Sequence, residues 1–539
     1  MQRALGLALV VGLLISATAW AAPIDERLQA LAHGTIAERA SAATRLAELE
    51  DPRVDDLLKL LAAGKLYRQR STDRIVVAER GDSGYLLSDP LTGDVIGSAR
   101  RRDVRRIAVN NALREQLAEL RAARALTANT PGTRRAAVDA LMGTTDPTLL
   151  AAINTRLLVE EDPRTRTRLE AVLATAELAR PTRPDAGAEV LKARLEAIES
   201  LAGNTHPEVR RLLLARANDA AASAEERSAA TRSMQVTKQK LDWIARFETL
   251  FFGLSLGSVL VLAAMGLAIT FGVMGVINMA HGELIMIGAY TAFVSQSLLP
   301  ATPGLALLLS IPLAFVVAGG VGMLLERTVI RHLYGRPLET LLATFGVSLV
   351  LQQSVRSLFS PLNQTVVTPD ALAGTVELFE DFDVTVVRLS VVAFSLAVFL
   401  IVQWLLRSTR LGLAIRAVAQ NRRMATALGV RGSRIDALTF GLGAGIAGIA
   451  GVALSQLTNV GPNMGQAYII DSFLVVVFGG VGSLWGTLLG GLSIGMANKV
   501  LEPLTGAVLA KILVLVLIIA FIQRRPEGLF PNRGRAARG

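Results

Sequence analysis

After Phe247 the chain turns into a succession of apolar runs, and this change constrains its fold more than any other feature. Leu, Val, Ile, Ala and Gly dominate, and several runs approach the roughly 20 residues that a helix needs to cross a bilayer. They divide into nine segments, near 248–272, 283–299, 303–325, 338–358, 388–407, 436–456, 468–482, 484–499 and 507–523. Inside hydrocarbon every backbone N–H and C=O needs an internal partner, so these runs predict helices. The connections set the orientation. The 326–336 loop carries Arg327, Arg331 and Arg336, the 407–434 loop carries seven Arg, and the tail carries Arg524, Arg525, Arg533, Arg535 and Arg538. Basic loops are retained in the cytoplasm. The 359–387 connection has no Lys or Arg but carries Asp370, Glu377, Glu380, Asp381 and Asp383, which predicts the opposite side. Nine spans with these loops put the N-terminal side outside and the basic tail, 526–539, inside.

The first 245 or so residues read as soluble, rich in Arg, Glu, Asp and Ala. Residues 1–22 have the form of a cleaved signal peptide: Arg3, the apolar stretch Ala4–Ile15, then Ala19-Trp20-Ala21. An uncleaved first membrane helix is the alternative, but the apolar stretch is short for it and a charged segment follows. An exported front agrees with the orientation given by the Arg-rich loops. Residues 23–246 then form a periplasmic helical domain. Thr130-Pro131, Asp146-Pro147, Asp162-Pro163 and His206-Pro207 each precede an apolar-periodic run, and Pro131, Pro147 and Pro163 are spaced by sixteen. A helix and a turn fit that unit, so a HEAT-like stack is expected, with an irregular bundle as the alternative. A small β insertion is expected near 70–97, with strands over Arg74–Glu79 and Tyr85–Ser88.

Composition excludes several function classes. There is no Cys, so no disulfide framework and no thiolate metal or redox site. The four His (33, 206, 281, 332) are scattered, and no metal site is expected. No GxxxxGK[ST] loop occurs, so any use of ATP belongs to another chain. The net charge of +11 sits in membrane-flanking loops and on solvated helices with interleaved Glu, which does not point to nucleic acid.

Three stretches depart from a plain membrane pattern. Gly272–Tyr290 holds Asn278, His281 and Glu283 within six residues, punctuated by Gly272, Gly275 and Gly282. A polar, glycine-broken segment between spans is either a tight polar turn or a re-entrant element lining a passage. Arg410–Asp436 contains a helical pattern over Ala414–Leu428, with Gln420, Asn421, Arg422 and Arg423 on its polar face and Gly429 as its stop. It is a docking helix or a plain basic loop. Phe478–Ser493 carries Gly479, Gly480, Gly482 and Gly486, which allow close helix packing or a helix break near Ser483. Asp471 lies in the span before it and should face protein or the outer surface.

These stretches carry a resemblance. INMAHGE at Ile277–Glu283, AQNRRMATALGV at Ala419–Val430 and DSFLVVVFGGVGSLWGTLLGG at Asp471–Gly491 resemble the permease subunits of branched-chain amino acid ABC importers, over roughly residues 248–530. The exported front domain ahead of FFGLSLGSVLVLAAMGLAITFGVMGVINMAHGELIMIGAY is similar to the urea-transporting branch of that family. The resemblance implies a multi-pass inner-membrane permease for urea or short-chain amides, without an ATPase site of its own. It implies a second, related permease as heterodimer partner, two cytoplasmic ATPase subunits binding ATP and Mg, and a periplasmic solute-binding protein. Ala419, Gln420, Asn421, Arg422, Arg423, Ala425, Ala427, Leu428 and Gly429 match the ATPase-coupling loop. Asn278, Ala280, His281 and Gly282 match the first-span signature. Together with Glu283, Asp471 and Ser483, Asn278 and His281 are the candidates for the solute path or its gate. The cargo alternative is branched-chain amino acids. An alternative of another class is a membrane-anchored periplasmic receptor or scaffold.

Overall fold

The structure, a computed structural model, describes residues 24–49, 51–81, 84–180, 187–379 and 381–530. The expected signal peptide and the end of the basic tail lie outside the described residues. The chain divides into two compact units, Met1–Leu241 and Asp242–Gly539, and the division falls within one long helix.

After a helical stretch over 24–32, the first unit has helices α1 (Ile36–Ala47) and α2 (Arg53–Ala62) and continues into five short strands. These are β1 (Leu66–Gln69), β2 (Ile75–Gly81), β3 (Gly84–Ser88), β4 (Val95–Ala99) and β5 (Val104–Arg106), arranged antiparallel in the order β4-β3-β2-β1-β5. Helices α3 (Asn111–Ala125), α4 (Pro131–Ala140), α5 (Pro147–Val159), α6 (Pro163–Ala179), α7 (Ala188–Ser200) and α8 (Pro207–Asn218) follow. Four of them start on the proline that the sequence marks, because Pro fits the first turn without losing a hydrogen bond. Asp146 and Asp162 cap α5 and α6 by accepting from Thr148 and Thr165 N–H. His206 plays the same part for α8, its Nδ1 accepting from Glu208 N–H at 3.2 Å.

The second unit starts inside α9 (Ala224–Met274), the helix that holds the first expected span. Then come α10 (His281–Leu298), α11 (Pro303–Thr328), α12 (Pro337–Phe359) and the hairpin β6 (Thr375–Phe379) and β7 (Phe382–Thr385). After it lie α13 (Val386–Ser408), α14 (Arg410–Gln420), α15 (Arg422–Ala427), α16 (Gly432–Ser455), α17 (Met464–Gly479), α18 (Leu484–Thr505) and α19 (Ala507–Arg524). Among the described residues six helices are long and apolar enough to cross a membrane: α9, α11, α12, α13, α16 and α19. Helices α10, α17 and α18 occupy the other three expected positions but fall short of that standard. Helix α17 has only 16 residues, and α10 and α18 carry buried polar side chains such as Glu283 and Asn498.

Helix α16 is the centre of this unit. It is buried along most of its length, and its glycines let neighbouring backbones come close. A Cβ on Gly448 would sit 2.6 Å from the carbonyl oxygen of Ala314 in α11. Small residues at such crossings are how helices gain contact where the hydrophobic effect gives no drive.

Candidate functional site

Helix α9 stops because Gly275 takes a left-handed conformation (φ +68°). The chain beyond it takes an unusual course. The ring of His281, seven residues past Met274, puts Nε2 2.9 Å from the carbonyl oxygen of Ala263. Ala263 lies eleven positions before Met274. At 1.5 Å per residue that is about 16 Å back along α9. Residues 275–280 therefore double back, and α10 begins deep beside α9 rather than level with its end. The apolar pattern predicts this stretch near the ends of the first two spans, and the structure places it well inside them. Because a carbonyl only accepts, Nε2 carries the proton and Nδ1 is left as an acceptor.

Two glycines make room for this start. Gly282 meets Gly465 at the beginning of α17, where a Cβ would lie 2.5 Å from the Gly465 oxygen. Gly266, beside His281, meets Gly443 of α16. Asn278 orders the turn, its Oδ1 accepting from Ala280 N–H at 3.0 Å. Glu283 sits in the first turn of α10, where the helix dipole favours a carboxylate. Its Oε1 accepts from Ser348 Oγ at 2.9 Å and from Gln352 Nε2 at 2.7 Å.

Both donors belong to α12, and they are part of a stripe. Thr340, Thr344, Ser348 and Gln352 recur every four residues and are all buried. Arg356 continues the spacing and reaches Asn463 Oδ1 at 2.6 Å. Four-residue spacing keeps side chains on one helix face. Thr344 also accepts from Met279 N–H at 3.1 Å, so the stripe runs beside the doubled-back segment as well as α10. Three atoms of this seam, Asn278 Nδ2, His281 Nδ1 and Glu283 Oε2, are buried and have no hydrogen-bond partner among the described residues. Each such atom costs about 1–3 kcal/mol. The signal is present in the sequence as the Thr-Thr-Ser-Gln period within the least apolar of the six long helices, but attention to ionisable groups alone passes over it.

The other candidates lie elsewhere. Asp471, on α17, pairs with Lys511 of α19 at 3.6 Å. Ser483 caps α18 by accepting from Gly486 N–H at 3.1 Å. Gly480 (φ +104°) and Gly482 (φ +81°) make the turn between α17 and α18, while Gly479 and Gly486 pack against each other across it. Gly272 is a packing position inside α9, over Gly482. A cavity of about 730 Å³ gathers pieces of all three singled-out stretches: Gly272, Ala419, Gln420, Gly482 and Ser483 line it together with Arg407 and Arg416.

The expected single helix over Ala414–Leu428 is two. Asn421 breaks it by taking an extended conformation (φ −152°, ψ 98°) and caps α15, its Oδ1 accepting from Met424 N–H at 3.1 Å. Gly429 (φ +89°) ends α15 with two reverse bonds, Gly429 N–H to Thr426 O and Val430 N–H to Ala425 O, each 3.0 Å. Ala425 is buried beneath α15, and Arg423, Met424, Ala427 and Leu428 are exposed on it.

Residues 249–522 match the family described as "Branched-chain amino acid transport system / permease component". The chain belongs to this permease family. It is 32% identical over 287 residues to the high-affinity branched-chain amino acid transport system permease protein BraD of Pseudomonas aeruginosa, covering 51% of this chain and 93% of that one. It is 30% identical over 292 residues to the permease protein LivH of Escherichia coli K12, covering 52% and 94%. A shorter likeness, 32% over 114 residues, links it to the ribose import permease protein RbsC of Escherichia coli K12, covering 20% of this chain and 36% of that one. No solved structure matches the chain. The permease is thus a multi-pass membrane protein and a component of an ABC importer, without ATPase activity of its own. Its first unit, which ends at Leu241, lies outside the matched residues 249–522.

Proposed function

We propose that this permease forms half of the membrane path for urea or short-chain amides, with the seam between α10 and α12 as the lining. The observation that carries the reading is the trio of unpartnered polar atoms, Asn278 Nδ2, His281 Nδ1 and Glu283 Oε2. An amide solute offers N–H groups to a carboxylate oxygen and a carbonyl to an amide N–H, which is the complement of that set. The remaining lining, Thr344, Ser348 and Gln352, is neutral and hydrogen-bonding. The large first unit, which the amino acid permeases matched here do not cover, also supports the urea branch.

A second reading has its own support. Arg356 stands one turn beyond Gln352 on the stripe, so the seam holds an anion and a cation, as a zwitterionic amino acid requires. The test is uptake of labelled urea and labelled leucine by the complete importer in proteoliposomes. The urea reading expects urea uptake that Gln352→Leu reduces and leucine does not inhibit. Leucine uptake abolished by Arg356→Gln, with no urea uptake, would replace it by the amino acid reading.

The rest of the assembly belongs to the same proposal. A second, related permease closes the path, two ATPase subunits holding ATP and Mg dock on α14 and α15 from the cytoplasm, and a binding protein delivers solute from the periplasm. What supports docking is a basic, two-helix segment whose exposed face carries Met424, Ala427 and Leu428. The inner membrane is the location, with the first unit periplasmic and the C-terminus cytoplasmic. The Arg-rich loops support that orientation. The anchored-receptor alternative is set aside because the spans themselves belong to a permease family.

A further inference from the structure

Two carboxylates are fully buried beneath α15, and neither belongs to the seam. Glu326 stands in the last turn of α11 and Asp436 in the first turns of α16. Arg422, the first residue of α15, forms an ion pair with Asp436. The same guanidinium lies over the ring of Tyr334, 5.1 Å from its centre. The Tyr334 hydroxyl donates to Glu326 Oε1 at 3.1 Å, and Arg331 approaches Glu326 Oε2 at 3.6 Å. Two cations and two anions thus close around one tyrosine.

Such a cluster is a poor way to gain stability. Keeping two carboxylates out of water is costly, the half-exposed guanidiniums of Arg331 and Arg422 return only part of it, and apolar packing holds helices equally well. What a half-exposed planar guanidinium, stacked on a ring and ion-paired to a buried carboxylate at once, provides is a fixed geometry. Arg422 cannot shift without dragging Tyr334 or breaking from Asp436. Tyr334 in turn packs with Val276, Ile330 and Phe440 in one small apolar cluster. Val276 comes directly after Gly275 at the start of the doubled-back segment, two residues before Asn278. An unbroken line of contacts therefore runs from α15 through Arg422 and Tyr334 to the segment that carries Asn278, His281 and Glu283.

We infer that Arg422, Asp436 and Tyr334 form a transmission joint: they are positioning residues that turn displacement of α15 into displacement of the doubled-back segment. The inference rests on the proposed docking of the ATPase subunits at α14 and α15. It differs from a mere brace in one respect: a brace holds the fold, whereas a joint sets how much solute moves per ATP.

The experiment uses the complete importer in proteoliposomes. Tyr334→Phe removes the bond to Glu326 and keeps the ring, and Asp436→Asn keeps the shape and removes the charge that anchors Arg422. Three quantities are read: ATPase subunits co-purified, ATP hydrolysed, and solute taken up per ATP. Both variants are expected to retain their ATPase subunits and to hydrolyse ATP within about twofold of wild type, while uptake per ATP falls about tenfold. The double variant is expected to lose no more than the worse single one, because the two changes break the same line. An unchanged ratio of uptake to hydrolysis in either variant, including one in which both fall together with the amount of assembled complex, overturns the joint. Should Tyr334→Phe fail to accumulate, the near-isosteric Asp436→Asn is read alone against the same ratio. The docking premise is tested apart: Gly429→Arg with unchanged co-purification and unchanged uptake would remove it, whatever the ratio in the other variants.

Discussion

On the proposed path, Glu283 is the residue whose role a single substitution tests most directly. One of its oxygens is held by Ser348 and Gln352, and the other is buried without a hydrogen-bond partner among the described residues. Glu283→Gln keeps the shape and the accepting oxygen but turns the other oxygen into a donor. Losing one hydrogen bond to a charged group is worth on the order of 2 kcal/mol, so uptake is expected to fall about thirtyfold, with the complex still assembled. Near wild-type uptake would reduce Glu283 to a structural residue. In the first unit, Glu160 shows a carboxylate whose partners are all in place. It takes Arg134 in a two-pronged pair, Nε at 2.8 Å and Nη2 at 2.7 Å, and also takes Arg156 Nε at 2.9 Å. The Arg134 hydrogen bond, aided by the Asp162 N–H and Arg156, draws its pKa from 4.5 down to about 2. A depressed pKa means stability that is complete above about pH 4.5 and drains away as the pH falls through about 2. Thermal unfolding of the detergent-solubilised protein across that window should therefore show a steeper loss for wild type than for Glu160→Gln. Parallel curves would mean that the pair contributes nothing to folding.

At the scale of elements, the proposed coupling segment depends on the backbone of Gly429. Gly429 has open space where a Cβ would go, so its constraint is conformational rather than steric. A side chain at φ +89° costs about 1–2 kcal/mol. Gly429→Ala is thus expected to fray the end of α15, and Gly429→Arg to add bulk to the exposed face. Uptake should fall in both, more in the second, as transport assays on membranes with matched protein levels would show. Normal uptake with a normally assembled complex would remove the coupling role. Helix α12 supports a second element-scale prediction. Its polar stripe is buried, yet Gly346, Gln353 and Ser354 are exposed on its other faces, where lipid offers amides no partner. If the related permease packs there, Gln353→Cys will cross-link to it, and an assembled complex that gives no cross-link from this position would remove that face as the interface. The elements also differ in how far the sequence makes them legible. The Pro-led helix starts and the Gly429 stop are readable because Pro and Gly act locally, on one or two dihedrals. The Asn421 break is not, because an Asn within a helical period signals nothing until its side chain is seen capping the next turn. Strands β1, β4 and β5 are hidden because LYRQ, VIGSA and VRR are too short for alternation to show. The doubled-back course of 275–280 is legible only as an anomaly. Its depth is set by His281 meeting Ala263, a contact between residues that no local rule connects. Likewise Glu326 and Asp436 read as loop-edge charges, and only the packing of α11, α15 and α16 reveals them as buried partners of Arg331 and Arg422.

At the scale of the whole molecule, orientation decides whether the seam, the joint and the docking segment can work in one sequence. Solute must arrive at one side, and ATP must act at the other, so the Arg-rich segments around Arg336 and Arg431 must share a side opposite to the β6–β7 hairpin. The chain lends itself to a clean test because it contains no Cys, so one introduced thiol reports from one place. Arg336, Arg431 and Asp370 are all exposed. In right-side-out cells, a membrane-impermeant maleimide is expected to label Asp370→Cys at once, and Arg336→Cys or Arg431→Cys only after the membrane is opened. A thiol at Leu86 on the exposed face of β3 places the first unit by the same logic, and labelling from outside is the expected result. Labelling of Leu86→Cys only after opening would overturn the periplasmic placement of the first unit. Reversal of the Arg336 and Asp370 pattern would be more consequential. It would present α14 and α15 to the wrong compartment for ATP, and with them would fall both the docking of the ATPase subunits and the joint that depends on it.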